Sequence, residues 1–437
     1  MKIILFIQCF PPLLCYAGGV SKRYLKLCKV LIEEYNYDIT IITPIDIEKS
    51  KDNAILKYIN SGKLIHKSID GIIANTLDGK ALGINIFSFN TLNILIKELY
   101  DSDLCIVDDI IGRQYIDIIC NIFNVPVIFT THTDVTKLRS FRYKLVKWIW
   151  YFHNKFINKN ILSTCSEVFA KQVNIKYTWP ILIWSNNFKK INKNKTEKIR
   201  DYILKEIKRK NKSEYKFDGI LFNCGRWSRE KRLELIIPNI PHNLLLIIIG
   251  DTHCEEYYQK LLDISNKYHN ILLLKGMLNS KELSIYYNIA DLYLSASDFE
   301  TCGNTLVESW ACGTPVAVQP AQGHLEYLES NVNGFSINFD KKNAKKEIEK
   351  AFNNIETLDL TKIQSKINNN DFGSNYHKNL IHPALEIKHT YLESFFNSIL
   401  FLIILIFILP LVYLFSLLLE YIYKGLITKT TQYTENE

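Results

Sequence analysis

Short runs of Ile, Leu and Val recur along this chain, closed by glycine or polar turns and separated by stretches long enough for a helix. They fall at residues 3–7, 39–42, 104–107, 127–130 and 161–164 in the first half, and at 221–225, 244–251, 292–296 and 316–318 in the second. A strand that is apolar on both faces belongs in a parallel sheet, and parallel neighbours need a helical crossover between them. The pattern therefore predicts an α/β protein built from βα units. At 437 residues the chain exceeds a single core, and 47% hydrophobic content is enough to fill two.

In open parallel sheets, ligands bind in the crevice outside the carboxyl ends of the strands. The segment after the 292–296 run is the richest of these ends. It reads Glu300-Thr-Cys-Gly-Asn-Thr-Leu-Val-Glu308 and continues as Ser309-Trp-Ala-Cys-Gly-Thr-Pro315. The first carboxylate stands on a loop, and the second lies on a helix closed by Gly313. Gly303, Asn304 and Thr305 would offer unpaired N–H groups at the helix start, an anion site, while carboxylates suit sugar hydroxyls. Read alone, the two glutamates are equally ordinary residues flanking a helix. Their company argues otherwise. The 221–225 run ends in a glycine turn followed by Arg226 and Lys231, two cations that suit a diphosphate. The 244–251 run ends in Gly250-Asp251.

Gly225-Arg226, Glu230-Lys231, Gly250-Asp251 and the stretch from Glu300 to Pro315 resemble the donor-binding half of the retaining glycosyltransferases with the GT-B fold. The resemblance covers roughly residues 1–390. It is nearest to the branch of GDP-mannose-dependent α-mannosyltransferases and sulfoquinovosyl-diacylglycerol synthases. It implies two Rossmann-like domains facing a cleft, a nucleotide-diphospho-sugar donor, a lipid or glycan acceptor, and no cofactor or metal. Mannose is the favoured sugar on the likeness around Gly303-Asn304-Thr305. Arg226 and Lys231 would stabilise the departing diphosphate, Glu300 would hold the donor sugar and Glu308 the ribose. Gly250, Cys302, Gly303, Asn304 and Thr305 complete the donor set. Cys302 stands where an aromatic or aliphatic residue is common, and Gly250-Asp251-Thr-His253 lacks a second glycine.

In the first half, the turn after the first strand carries Gly18-Gly19, where the family lets backbone approach the donor phosphates and the acceptor. His132, in Thr130-Thr-His132-Thr-Asp134 at the end of the fourth run, is the residue that would touch the transferred sugar. A lone histidine is more often structural; its place at a strand end favours the functional role. Asp101-Ser-Asp103 imitates a metal-binding pair but precedes a strand, so it reads as a helix terminus and strand entry. At the domain junction the family usually has a glycine. Trp184-Ser-Asn186-Asn187-Phe188 has asparagine, which tolerates positive φ.

The net charge of +8 resides in one place. Residues 189–216 hold 12 Lys/Arg against 4 Asp/Glu, and 12 − 4 accounts for the whole surplus. That segment reads as a solvated linker with one helix, and nucleic acid is not an expected partner. Residues 137–159 are basic and aromatic, fitting either an anionic membrane surface or a helix packed on its own domain. The ten cysteines show no metal or disulfide spacing, so Cys105, Cys120, Cys165 and Cys224 read as small buried hydrophobes in a reducing compartment. Residues 395–419 contain no charge and predict a transmembrane helix, a C-terminal single-pass anchor with the catalytic domains on the cytosolic side.

The expected organisation is an acceptor-side domain over 1–188, the basic linker over 189–216 and a donor domain over 217–374. A returning helix over 375–394 and the membrane segment follow. Glycosyl transfer with retention, by front-face substitution, is the expected reaction. Two rivals remain open from sequence: a nucleotide-sugar epimerase on the same fold, and an inactive membrane adaptor that keeps it.

Overall fold

The computed structural model describes residues 1–7, 19–43, 53–75, 81–85, 88–108, 114–132, 161–179, 183–211, 216–252, 254–298, 300–321, 323–387, 396, 399–400 and 403. The first half holds β1 (Lys2–Phe6), β2 (Asp38–Thr43), β3 (Leu64–Ser68), β4 (Gly71–Asn75), β5 (Ala81–Asn85), β6 (Leu104–Asp108), β7 (Val127–Thr131), β8 (Ile161–Thr164) and β9 (Tyr177–Thr178). All but β4 and β5 form one parallel sheet in the order β3-β2-β1-β6-β7-β8-β9, while β4 and β5 pair antiparallel by themselves. The second half holds β10 (Gly219–Cys224), β11 (Leu244–Gly250), β12 (Ile271–Lys275), β13 (Leu292–Ser295), β14 (Val316–Val318) and β15 (Gly334–Ser336). These form a second parallel sheet in the order β12-β11-β10-β13-β14-β15.

The central strands of both sheets are buried on both faces, which is why they read as unbroken apolar runs. In β1, Ile3 and Leu5 join one core while Ile4 and Phe6 join the core of the opposite face. In β10, Ile220 and Phe222 face one core and Leu221 the other. Each such side chain, fully withdrawn from water, contributes on the order of 1.5–3 kcal/mol.

After the second sheet the chain returns to the first. The helical stretch Phe372–Tyr376, His377–Ile381 and His382–Glu386 places Phe372, Tyr376, Leu380, Ile381 and Ala384 in the core that contains Leu27 and Leu31. Gly373 permits the approach: a Cβ there would lie 2.4 Å from Glu34 Oε2 and 2.6 Å from Val30 Cγ1. The His377 ring stacks on Tyr35 at 4.5 Å, and its Nε2 is 2.8 Å from the Tyr37 hydroxyl.

The basic segment is not a free linker. Its helix, Lys193–Asn211, is fixed to the second half by Arg200, whose two terminal nitrogens each lie 2.7 Å from an oxygen of Asp291. Ile203 and Leu204 pack on the adjacent core, so two apolar residues in a polar stretch suffice to dock it. At the junction, Asn186 and Asn187 do not take positive φ. The Ser185 hydroxyl accepts from the Asn187 N–H at 3.3 Å and the Ser185 carbonyl from the Phe188 N–H at 3.2 Å. Asparagine does take the left-handed place of glycine elsewhere, at Asn36, Asn124, Asn174 and Asn331.

The cysteine expectation is overturned. Cys165, after β8, forms a disulfide with Cys302 in the glutamate turn, so neither is a buried free thiol; Cys105, Cys120 and Cys224 are. With a sequence separation of 137 and a partner in the other half, no local spacing could announce the pair. The halves also meet where the Glu326 carboxylate accepts from the N–H groups of Glu167 and Val168, both at 2.8 Å. Gly18, the basic aromatic stretch 137–159 and most of the expected membrane span 395–419 lie outside the described residues. Of the span, Phe396, Ile399, Leu400 and Ile403 are helical and exposed. Among the described residues, no helix is long and apolar enough to cross a membrane.

Candidate active site

In the second sheet, strand order reverses between β10 and β13, which lie side by side and leave in opposite directions. The turns at their carboxyl ends form the site. Gly225 follows β10 with φ 140°. Gly250, at the end of β11, lies so close that a Cβ on it would sit 1.9 Å from the Gly225 carbonyl oxygen and 2.6 Å from Trp227 Nε1. Gly250 thus lets two strand-end turns lie together, a packing role within the set predicted for donor binding. The chain then makes a 3₁₀ turn, Arg229–Lys231. Arg226 pairs with Glu230 at 2.9 Å, and Lys231 Nζ lies 2.6 Å from Glu300 Oε2.

Glu300 is partly buried, which by itself disfavours its charge. Lys231, His324 and the Gly303 N–H together outweigh that and hold the carboxyl down at about 2. The Gly303 N–H donates to Glu300 Oε1 at 3.4 Å. Gly303 itself has φ 59° and caps the helix Asn304–Cys312, which Gly313 closes with φ 88°. The first-turn amides of Asn304 and Thr305 have no intrahelical acceptor by construction, and the helix dipole adds positive character there. A cation, a carboxylate and free amides converge at one turn. That combination can hold a sugar and a diphosphate together.

Glu308, on the first turns of the same helix, is 4% exposed. Burial raises its carboxyl; Lys22 and two hydrogen bonds pull the other way. The Trp184 indole N–H donates to Oε1 at 2.5 Å and the Tyr287 hydroxyl to Oε2 at 2.8 Å. Lys22, from the first half, stands over the Trp184 ring at 4.0 Å. Both Glu308 oxygens therefore already have a donor within the protein, which leaves fewer acceptor positions for a ribose.

The first half contributes a second cluster. Asp108 ends β6 and His132 follows β7, neighbouring strands of the first sheet. His132 Nε2 lies 3.5 Å from both Asp108 Oδ1 and the Tyr24 hydroxyl. Burial, then the Arg23 charge, lowers the imidazole to about 3, so it is neutral at physiological pH. Gly19 opens the helix Gly19–Glu33 that carries Lys22, Arg23 and Tyr24.

Lys231, Glu300, Gly303, Asn304 and Thr305 are brought together, with Arg226 alongside; His132 belongs to the first-half cluster. Cys302 is taken up by the disulfide. Sequence reasoning missed Lys22, Arg23, Tyr24, Asp108, Tyr287, His324 and Glu326. The strand-end rule applied once more, to the loop after β14, would have found His324 and Glu326.

Residues 205–369 match the model of the family described as glycosyl transferases group 1. An uncharacterized glycosyltransferase of Methanocaldococcus jannaschii is 32% identical over 123 residues, 27% of this chain and 31% of its own length. The alpha-monoglucosyldiacylglycerol synthase of Acholeplasma laidlawii is 37% identical over 98 residues, 22% of this chain and 24% of its own. The matches thus span less than a third of either relative. Among solved structures, Anabaena HepE in complex with UDP-glucose has a TM-score of 0.57 at 16% identity, covering 86% of this chain and 98% of that one. The chain has the GT-B fold, with a group 1 glycosyl transferase match over most of its second half.

Proposed function

We propose that this protein moves a hexose from a nucleotide-diphospho-sugar to a lipid or glycan acceptor, with retention at the anomeric carbon. The observation that carries the reading is the turn where Lys231 meets Glu300 at the start of the helix Asn304–Cys312. Lys231, with Arg226, counters the charge that develops on the departing diphosphate, and the amides of Asn304 and Thr305 take its oxygens. Glu300, ionised and fixed by Gly303, accepts from hydroxyls of the sugar. His132, neutral and buried, meets the transferred sugar from the first half. The acceptor oxygen attacks from the face the diphosphate leaves, and that diphosphate takes its proton; no metal or cofactor is part of the reading.

Mannose from GDP-mannose is the donor favoured by the sequence resemblance. A lipid acceptor is supported by the relative named for diacylglycerol chemistry and by the uncharged stretch 395–419. The full-length protein, offered UDP-glucose and GDP-mannose with a diacylglycerol or glycan acceptor, should release nucleoside diphosphate and form an α-linked product. A β-linked product would reject retention. Product formed from the nucleotide sugar without any acceptor, as a changed sugar still attached, would point to an epimerase.

A further inference from the structure

The loop after β14 carries a buried histidine that nothing so far explains. His324 is fully buried. Its Nδ1 lies 2.7 Å from the Gln319 carbonyl oxygen, which can only accept, so Nδ1 carries the proton. Burial keeps the ring from taking a second one. Nε2 is therefore a bare lone pair, and it has no hydrogen-bond partner among the described residues. A buried acceptor left unpaired is costly and calls for a reason.

Its position supplies one. A Cβ built on Gly303 would lie 3.7 Å from His324 Cδ2, the carbon bonded to Nε2, so the ring turns that edge toward the glutamate turn. The two loops are pressed together: the Gly323 N–H donates to the Glu300 carbonyl at 2.6 Å, and a Cβ on Gly323 would come within 2.6 Å of the Cys302 nitrogen. The His324 ring and the Glu300 carboxyl lie near enough for each to influence the other's protonation.

We propose that His324 is a specificity-determining residue of the donor site, its Nε2 accepting from a hydroxyl of the transferred sugar. The assignment rests on the donor-site reading of Lys231 and Glu300. A lone pair repels ionised phosphate oxygens, so the diphosphate is not its ligand; a hydroxyl, which can donate, is. Glu300 is also an acceptor, and two acceptors side by side fit two hydroxyls of one pyranose.

The test uses full-length wild type, His324→Leu and His324→Gln, titrated with the pairs UDP/UDP-glucose and GDP/GDP-mannose and with monodeoxy forms of whichever sugar donor binds. His324→Leu should bind the nucleoside diphosphate within about twofold of wild type and lose about tenfold or more for the intact sugar donor, roughly 1.4 kcal/mol per tenfold. One deoxy donor should bind wild type with a similar loss, and His324→Leu should not distinguish it from the parent. Glutamine, which places an amide oxygen near Nε2, should restore part of the discrimination. Loss of nucleoside diphosphate and sugar donor in equal measure would mark His324 as structural and overturn the proposal. So would a His324→Leu protein that binds and ranks every donor as wild type does. Should His324→Leu not fold, His324→Gln and the wild-type deoxy series decide: a deoxy donor must be penalised in wild type and less so in the variant. Wild type that binds no nucleotide at all would remove the donor-site reading and this assignment with it. An unchanged variant beside a nucleotide-binding wild type removes the assignment alone.

Discussion

Glu300 and Lys231 form the ion pair on which the proposed chemistry rests, and their charges can be separated experimentally. With its carboxyl held at about 2, Glu300 is ionised through the whole pH range in which enzymes are assayed, so its titration should not shape an acid limb of activity above pH 4. Lys231→Ala removes the cation proposed to face the leaving group and should lower kcat by roughly tenfold to a thousandfold, about 1.4–4 kcal/mol of barrier. Arg226→Ala, whose side chain is more exposed and already paired with Glu230, should fall toward the smaller end. Steady-state kinetics at saturating donor decides, and near wild-type kcat in Lys231→Ala would reject the diphosphate role. His132 titrates in the opposite sense to a stabilising histidine. Its folded-state value of about 3 lies below the ordinary 6.5, so the unfolded chain binds the proton first. Stability should fall as pH drops from about 6.5 toward 3, by up to about 1.4 kcal/mol per pH unit. Denaturation of His132→Asn alongside wild type should show the shallower dependence in the variant; parallel curves would mean that His132 is not buried neutral. These residues were legible because each ends or follows a strand. Lys22, Arg23 and Tyr24 were not, since they project from a helix whose neighbours only the tertiary fold reveals.

At the scale of elements, the two strand-end glycines of the second sheet serve the packing of turns as much as any ligand. Gly250→Ala would drive a methyl into the Gly225 carbonyl and the Trp227 ring. Backbone cannot yield there cheaply, because Gly225 N–H is bonded to the Ile249 carbonyl and Trp227 N–H to the Asp251 carbonyl. The variant should unfold at lower temperature, with a loss above the roughly 1 kcal/mol typical of point changes. A scan showing unchanged melting but weakened donor binding would instead restore Gly250 to a purely ligand-facing role. The central strands were readable from composition because burial on both faces leaves no alternation to confuse them, whereas β3 and β12 at the sheet edges went unread. β9 and β15 went unread too, being two- and three-residue edge pairings that no local pattern marks. β4 and β5 were missed for another reason: Gly, Asn and Ala dilute the apolar signal that marks the other strands. The helix Lys193–Asn211 reads as solvated by charge count, yet one bidentate arginine and two apolar residues dock it.

Across the whole molecule, the contacts between halves were the least legible part, since each joins residues distant in sequence. Cys165–Cys302, Glu326 on the Glu167 and Val168 amides, and Lys22 over Trp184 are all of this kind. A bridge closing 137 residues restricts the unfolded chain by as much as about 5 kcal/mol. Reductant should lower the melting temperature of wild type, and Cys302→Ser should melt low with or without it; equal melting in all four samples would mean the bond does not form in solution. The last question is what the uncharged stretch does. Every described buried residue lies before residue 388, and the helical return to the first core ends at Glu386. Deleting 394–437 should therefore leave the thermal transition and nucleoside diphosphate release nearly unchanged. Transfer to a water-soluble acceptor should survive, whereas transfer to an acceptor embedded in anionic vesicles should drop. What remains should weaken further with salt, because only exposed basic charge would then hold the protein at the lipid surface. A truncated protein that fails to fold would show that the stretch belongs to the core. One that still sediments with vesicles at high salt would move the membrane contact to another part of the chain.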